Sequence, residues 1–130
     1  MDYLADTMAL VQHLRGGRGL GRRARRILRQ ADQGHHTIVI FGVTLMEILY
    51  LSEHRRIPID LGILGNLLAQ SSNYTVVPVG FDVVKAAAAI DDVPELHDRL
   101  IAGTAAWLGI LILTNDPVMM ASRHVQTVWK

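Results

Sequence analysis

The chain has 130 residues, with 13 Lys and Arg against 12 Asp and Glu and no cysteine, which excludes a disulfide scaffold, a thiolate zinc site and a cysteine nucleophile. One domain of this size buries roughly two thirds of the surface its unfolded chain exposes, so it needs no staple, and the missing thiols agree with an intracellular location. Half of the residues are hydrophobic and 19% are charged, too apolar for disorder, yet the longest apolar run, Leu100 to Thr114, is broken by Gly103, Thr104 and Gly109 and falls short of the ~20 residues of a membrane span.

A short apolar strand is predicted at Asp2 to Ala5. Asp2 and Asp6 precede every basic residue, the reverse of a secretory signal, so a cytoplasmic chain is expected. Helical spacing follows over Thr7 to Leu14, then a glycine-rich turn, Gly16 to Gly21, and a second helix over Arg22 to Ala31. Residues 15 to 29 hold seven arginines (Arg15, Arg18, Arg22, Arg23, Arg25, Arg26, Arg29) and no acid, leaving six basic against twelve acidic residues elsewhere. The near-neutral sum therefore hides a +7 segment on a −6 body, a segregation that suits contact with phosphate or an acidic partner and equally suits a solvated helix face.

A strand at Thr37 to Gly42 leads to helices over Leu45 to His54 and Leu61 to Ala69. A strand at Tyr74 to Val79 precedes helices over Phe81 to Ile90 and Glu95 to Leu108, split at Pro94, and the chain finishes with strands at Ile110 to Leu113 and Val125 to Trp129. Apolar strands without clean alternation, interleaved with helices, are the mark of buried parallel strands. The expected fold is a single α/β domain over residues 1–130, a three-layer α/β/α sandwich with a mainly parallel sheet, binding ligands outside the carboxyl ends of its strands.

Four acids fall on that edge by topology. Asp6 follows the first strand and Asp116 follows the Ile110–Leu113 strand. Glu47 is placed in the first turn of the helix leaving Thr37–Gly42. Asp98 opens a helix that must run back from the carboxyl edge to feed a parallel strand. Each has a plainer reading as well: Thr44-Leu45-Met46-Glu47 matches a capping box, Asp116-Pro117 and Asp6-Thr7 match helix N-caps, and Asp98 suits the helix dipole or an ion pair with Arg99 or Arg55. Caps alone do not require that all four converge. Four clustered carboxylates repel one another, and two divalent cations would balance them; all-oxygen donors suit Mg²⁺ or Mn²⁺, whose pairs promote phosphodiester hydrolysis.

The ordered motifs Asp6-Thr7, Thr44-Leu45-Met46-Glu47-Ile48, Asp98-Arg99-Leu100-Ile101-Ala102 with Glu95 three residues ahead, and Leu113-Thr114-Asn115-Asp116 resemble a PIN-domain ribonuclease of the VapC-like toxin type. The resemblance implies Mg²⁺- or Mn²⁺-dependent cleavage of single-stranded RNA, a homodimer and a cognate antitoxin. It implies metal binding by Asp6, Glu47, Asp98 and Asp116 and polar support from Thr7, Thr114 and Asn115. Glu95-Leu96-His97-Asp98-Arg99 stands where that family often has Asp-Pro-x-Asp-Arg. Arg22, Arg23, Arg25 and Arg26 are candidate contacts for RNA or a partner; the alternative function is a module that binds nucleic acid or protein through Arg15–Arg29 without chemistry.

Other signals carry less. Gly19-Leu20-Gly21-Arg22-Arg23-Ala24 fits a loose dinucleotide pattern but follows no strand, the histidines lack metal-ligand spacing with each other, and no serine occupies a nucleophile elbow. Trp107 and Trp129 are expected in the core or an interface, since no aromatic residue interleaves with the arginines.

Overall fold

The computed structural model describes residues 1–130. Five strands form one sheet: β1 (Asp2–Ala5), β2 (Thr37–Phe41), β3 (Tyr74–Val77), β4 (Leu111–Leu113) and β5 (Thr127–Val128). The order is β3-β2-β1-β4-β5 and every pairing is parallel, with Leu4 opposite Val39 and Ile112, and Leu113 opposite Val128. Seven helices connect them: α1 (Thr7–Leu14), α2 (Arg22–Asp32), α3 (Gly42–Glu53), α4 (Leu61–Gln70), α5 (Phe81–Ala88), α6 (Leu96–Leu108) and α7 (Pro117–Ala121). None is long and apolar enough to cross a membrane.

The α/β/α layering follows from the two-residue period of the strands. Tyr3, Ala5, Ile38, Ile40 and Leu113 point to one face, where they join Leu10 of α1, Ile27 and Leu28 of α2, Ile48 of α3 and Leu64 of α4. Leu4, Val39, Phe41 and Ile112 point to the other, against Val83 of α5, Ile101, Ala102 and Ala105 of α6 and Met119 of α7. Covering both faces explains why the strands read as continuous apolar runs.

Two glycines shape the α6 layer. Gly109 caps α6 in the left-handed region, at φ 68°, so the chain turns directly into β4. Gly103 lets α6 close on α5: a Cβ there would stand 2.6 Å from the Ala87 Cα. Arg99 reinforces that seam, its Nε and Nη2 donating to the carbonyls of Ala87 and Ala88 at 2.8 and 3.1 Å. It therefore caps α5 and is not an ion-pair partner of Asp98.

Several predicted boundaries shift by one or more residues, most visibly at β3, β5 and the junction of β2 and α3. β3 stops at Val77, before Pro78, which has no N–H for the ladder. β5 is the two-residue sheet edge Thr127–Val128 within the expected Val125–Trp129. Gly42 opens α3 rather than ending β2, so the helix starts three residues before Leu45. Thr44 is consequently inside α3, and no capping box forms. Trp129 packs against the core, while Trp107 is exposed on α6 beside Asp82, Lys85 and Ala86.

Candidate active site

Strand ends and helix starts meet at the carboxyl edge of the sheet, over β1 and β4. Asp6 is the N-cap of α1, its Oδ1 accepting from the Ala9 amide at 2.8 Å. Asp116 is the N-cap of α7, with Pro117 at the first helical position and Oδ1 accepting from the Val118 amide at 2.8 Å. Both capping expectations thus hold, and both caps also face the cleft. Asp98 lies in the first turn of α6, behind an N-cap made by Glu95, whose Oε2 accepts from the Asp98 amide at 2.7 Å. That bond holds the Glu95 carboxyl below the usual range and accounts for an acid at this position.

Glu47 arrives differently from expectation. With α3 starting at Gly42, it stands in the second helical turn, where an i, i+3 relation puts it on the same face as Thr44. The buried Thr7 hydroxyl donates to Glu47 Oε1 at 2.7 Å and lies 3.3 Å from the Thr44 hydroxyl, also buried. Thr44 was legible only as a cap; its position three residues before Glu47 was the available sign of this second role.

Asp6, Thr7, Met8, Glu47, Asp98, Ile101, Asn115, Asp116 and Pro117 line one cleft of about 570 Å³. All four predicted acids are there, with Thr7 and Asn115 beside them. Thr114 is fully buried: its hydroxyl accepts from the Asp116 amide at 3.1 Å and its side chain favours the ionised Asp6 carboxyl. Asn115 is exposed at the rim.

The electrostatics record the convergence. Burial pushes the Asp6 carboxyl up, opposed by its bonds to Thr114 and Ala9 and reinforced by the charges of Asp116 and Glu47. Burial pushes Asp98 up to about 6, followed by repulsion from Asp116, Glu95, Glu47 and Asp6. No Lys, Arg or His forms an ion pair with any of the four. The acids ring the cleft without closing on a point, since no three of them bring oxygens within 4.8 Å of one another. The donor set is all oxygen, anionic and uncompensated by protein cations, which fits hard divalent cations such as Mg²⁺ or Mn²⁺.

One tighter cluster lies elsewhere and was not anticipated. Asp91 and Asp92 meet His124 within 4.8 Å, ahead of β5. Its groups are already engaged: His124 Nε2 lies 2.7 Å from Asp91 Oδ1, and Asp92 accepts from the Ser122 hydroxyl and the Arg123 amide, each at 2.8 Å. His124 stands 33 positions after Asp91, and no spacing rule connects them.

The PIN domain family model matches residues 3–121. The chain belongs to the PIN domain family. No curated protein matches it in sequence. Its PIN fold is similar to solved structures at low identity. One is VapBC2 from Rickettsia felis bound to a promoter DNA fragment, at TM-score 0.72 and 15% identity over 100% of both chains. Another is a toxin–antitoxin complex from Klebsiella pneumoniae, at 0.65 and 20%, covering 97% of this chain and 95% of that one. A third is DNA-bound VapBC from Salmonella typhimurium, at 0.68 and 16%, covering 98% and 97%.

Proposed function

We propose that this PIN domain is a metal-dependent endoribonuclease acting on single-stranded RNA, and that it is the toxin of a toxin–antitoxin pair. The observation that carries the reading is the cleft of Asp6, Glu47, Asp98 and Asp116, drawn from four parts of the chain and left without a protein counter-ion. Repulsion among such groups opposes the fold, so their convergence calls for cations. Asp6, Glu47, Asp98 and Asp116 would hold Mg²⁺ or Mn²⁺. When bound, a pair of these ions supplies an activated water and charge neutralisation at the leaving oxygen of an in-line phosphodiester displacement.

The chain's own contribution is positional. Thr7 fixes Glu47 through the 2.7 Å bond, and the α1 and α7 caps and Thr114 fix Asp6 and Asp116. Asn115, exposed at the rim, offers an amide to the substrate backbone. The antitoxin partner is supported by the similar structures, which are VapBC and toxin–antitoxin complexes. A cytoplasmic homodimer belongs to the same reading.

The test is cleavage of 5′-labelled single-stranded RNA by the purified chain with MgCl2 or MnCl2, with EDTA as control. Asp6→Asn and Asp98→Asn are expected to abolish cleavage while retaining the wild-type circular dichroism spectrum. Equal cleavage by the variants, or cleavage that survives EDTA, would overturn the reading. A reading frame for a DNA-binding antitoxin found just upstream would support the toxin assignment specifically.

A further inference from the structure

Helix α2 buries Ala24, Ile27, Leu28 and Ala31 and turns Arg22, Arg23, Arg26 and Arg29 outward, all exposed. None of these arginines lies within 4.0 Å of a carboxylate. Asp32, the single acid of the helix, is turned away to accept from the Tyr74 hydroxyl at 2.7 Å and to meet His13 Nε2 at 2.9 Å. Arg25 is committed differently: its Nη2 and Nε donate to the Gly17 carbonyl at 2.8 and 3.3 Å, holding the turn before α2. Like charges three and four residues apart destabilise a helix, so the free arginines are maintained against a local cost.

Their surroundings identify the kind of partner. Arg22, Arg25, Arg26, Arg29, Gln30 and Gln33 line a shallow recess without one apolar residue. Protein interfaces are anchored by an apolar or aromatic centre, which this face lacks; a phosphate backbone needs only cations and hydrogen-bond donors. The location connects the face to the acid cleft. The Ala24 amide donates to the Trp129 carbonyl at 3.1 Å, and Gly21 sits so close to Trp129 that a Cβ would overlap that carbonyl. Trp129 follows β5, the neighbour of β4, so the first turn of α2 stands at the carboxyl edge. Strand ends there are ~4.8 Å apart, and the loop after β4 carries Asp116.

We propose that Arg22, Arg23, Arg26 and Arg29, with Gln30 and Gln33, form a backbone track for the strand leaving the acid cleft. Single-stranded RNA crosses the end of β5 and runs down the outer face of α2, each arginine meeting a phosphate. That this polymer is the substrate rests on the nuclease reading; that the face binds a polyanion does not.

The experiment measures fluorescence anisotropy of a labelled 16-nucleotide oligouridylate with the whole chain in EDTA, between 50 and 300 mM KCl. The triple variant R22Q/R26Q/R29Q is expected to weaken binding by on the order of 10-fold at 100 mM KCl and to flatten the slope of log K against log salt by about 2, from ~0.7 per lost phosphate contact. Arg55→Gln with Arg56→Gln, exposed residues after α3, is expected to leave both unchanged. Wild-type affinity and slope in the triple variant overturn the track, as does an equal loss in the Arg55/Arg56 control. Retained RNA binding with lost binding to polyglutamate overturns it in favour of an acidic protein. With Mg²⁺ added, a wild type that binds but does not cut sinks the nuclease reading alone. A wild type that cuts, with KM unchanged in the triple variant, sinks the track alone.

Discussion

Asp98→Asn is expected to stabilise the metal-free protein while disabling it. In the native state the Asp98 carboxyl is pushed from 3.8 to about 6, by burial and then by the charges of Asp116, Glu95, Glu47 and Asp6. Two units correspond to an upper bound of about 3 kcal/mol. Asp98 is only half-buried, so solvent screening reduces this to between about 1 and 2 kcal/mol. Losing a favourable charge in the first turn of α6 subtracts about 0.5 kcal/mol, which leaves about 1 kcal/mol of net stabilisation. For a domain of this size that is roughly 3–4 °C in Tm.

The sign depends on pH. Between pH 4 and 6 the unfolded chain has lost the Asp98 proton that the native state still holds, so wild-type stability from this group falls as pH rises through that window. Urea denaturation in EDTA should therefore show no difference between wild type and variant below pH 4 and a gap of about 1 kcal/mol above pH 6. Millimolar Mg²⁺ should then stabilise wild type more than the variant and close the gap. A variant less stable than wild type at pH 7.5 in EDTA, or a gap independent of pH, refutes the repulsion argument.

Thr7→Val keeps the buried shape but removes the donor to Glu47; cleavage is expected to fall about 10- to 100-fold, as for lost support of a metal ligand, with Tm little changed and Thr7→Ser largely restoring the rate. Gly103→Val is expected to lose about 2–3 kcal/mol in urea denaturation, because its Cβ would meet the Ala87 backbone at 2.6 Å and force α5 from α6; a loss under about 0.5 kcal/mol would mean that the seam is not tight.

The layered fold was legible because hydrophobic runs, glycines and prolines mark element limits in this chain. α2 was expected over Arg22–Ala31 and is Arg22–Asp32; β1 and α1 have the expected limits. The start of α3 was not legible. Its N-cap is Phe41, without a side-chain bond, and glycine at the first helical position disfavours helix, whereas Thr44 and Glu47 supply a local capping pattern that the buried bond to Thr7 overrides. Topology sufficed to bring Asp6, Asp98 and Asp116 together, because in a parallel sheet the helix starts share one edge. It could not show that Arg25 staples the Gly17 turn or that Asp91 and Asp92 meet His124, since those contacts depend on loop paths that no periodicity encodes.

Capping and metal binding are usually weighed as rivals, yet the caps at Asp6 and Asp116 are compatible with the proposed metal role. An N-cap uses one carboxylate oxygen on a backbone amide: Asp116 Oδ1 takes the Val118 amide, and Oδ2 has no partner within the chain. The cap fixes the rotamer before any cation arrives, and the positive end of the following helix lowers the cost of the charge. A parallel sheet repeats this arrangement at successive strand ends, so it can assemble an acid cleft from residues that also hold its helices in place. The Ala24 bond to the Trp129 carbonyl brings the first turn of α2 to that edge too, where the residues are arginines. Opposite charges therefore share one edge while remaining unpaired, and the net charge of +1 is the sum of an acid cleft and a basic helix still free to bind other ions.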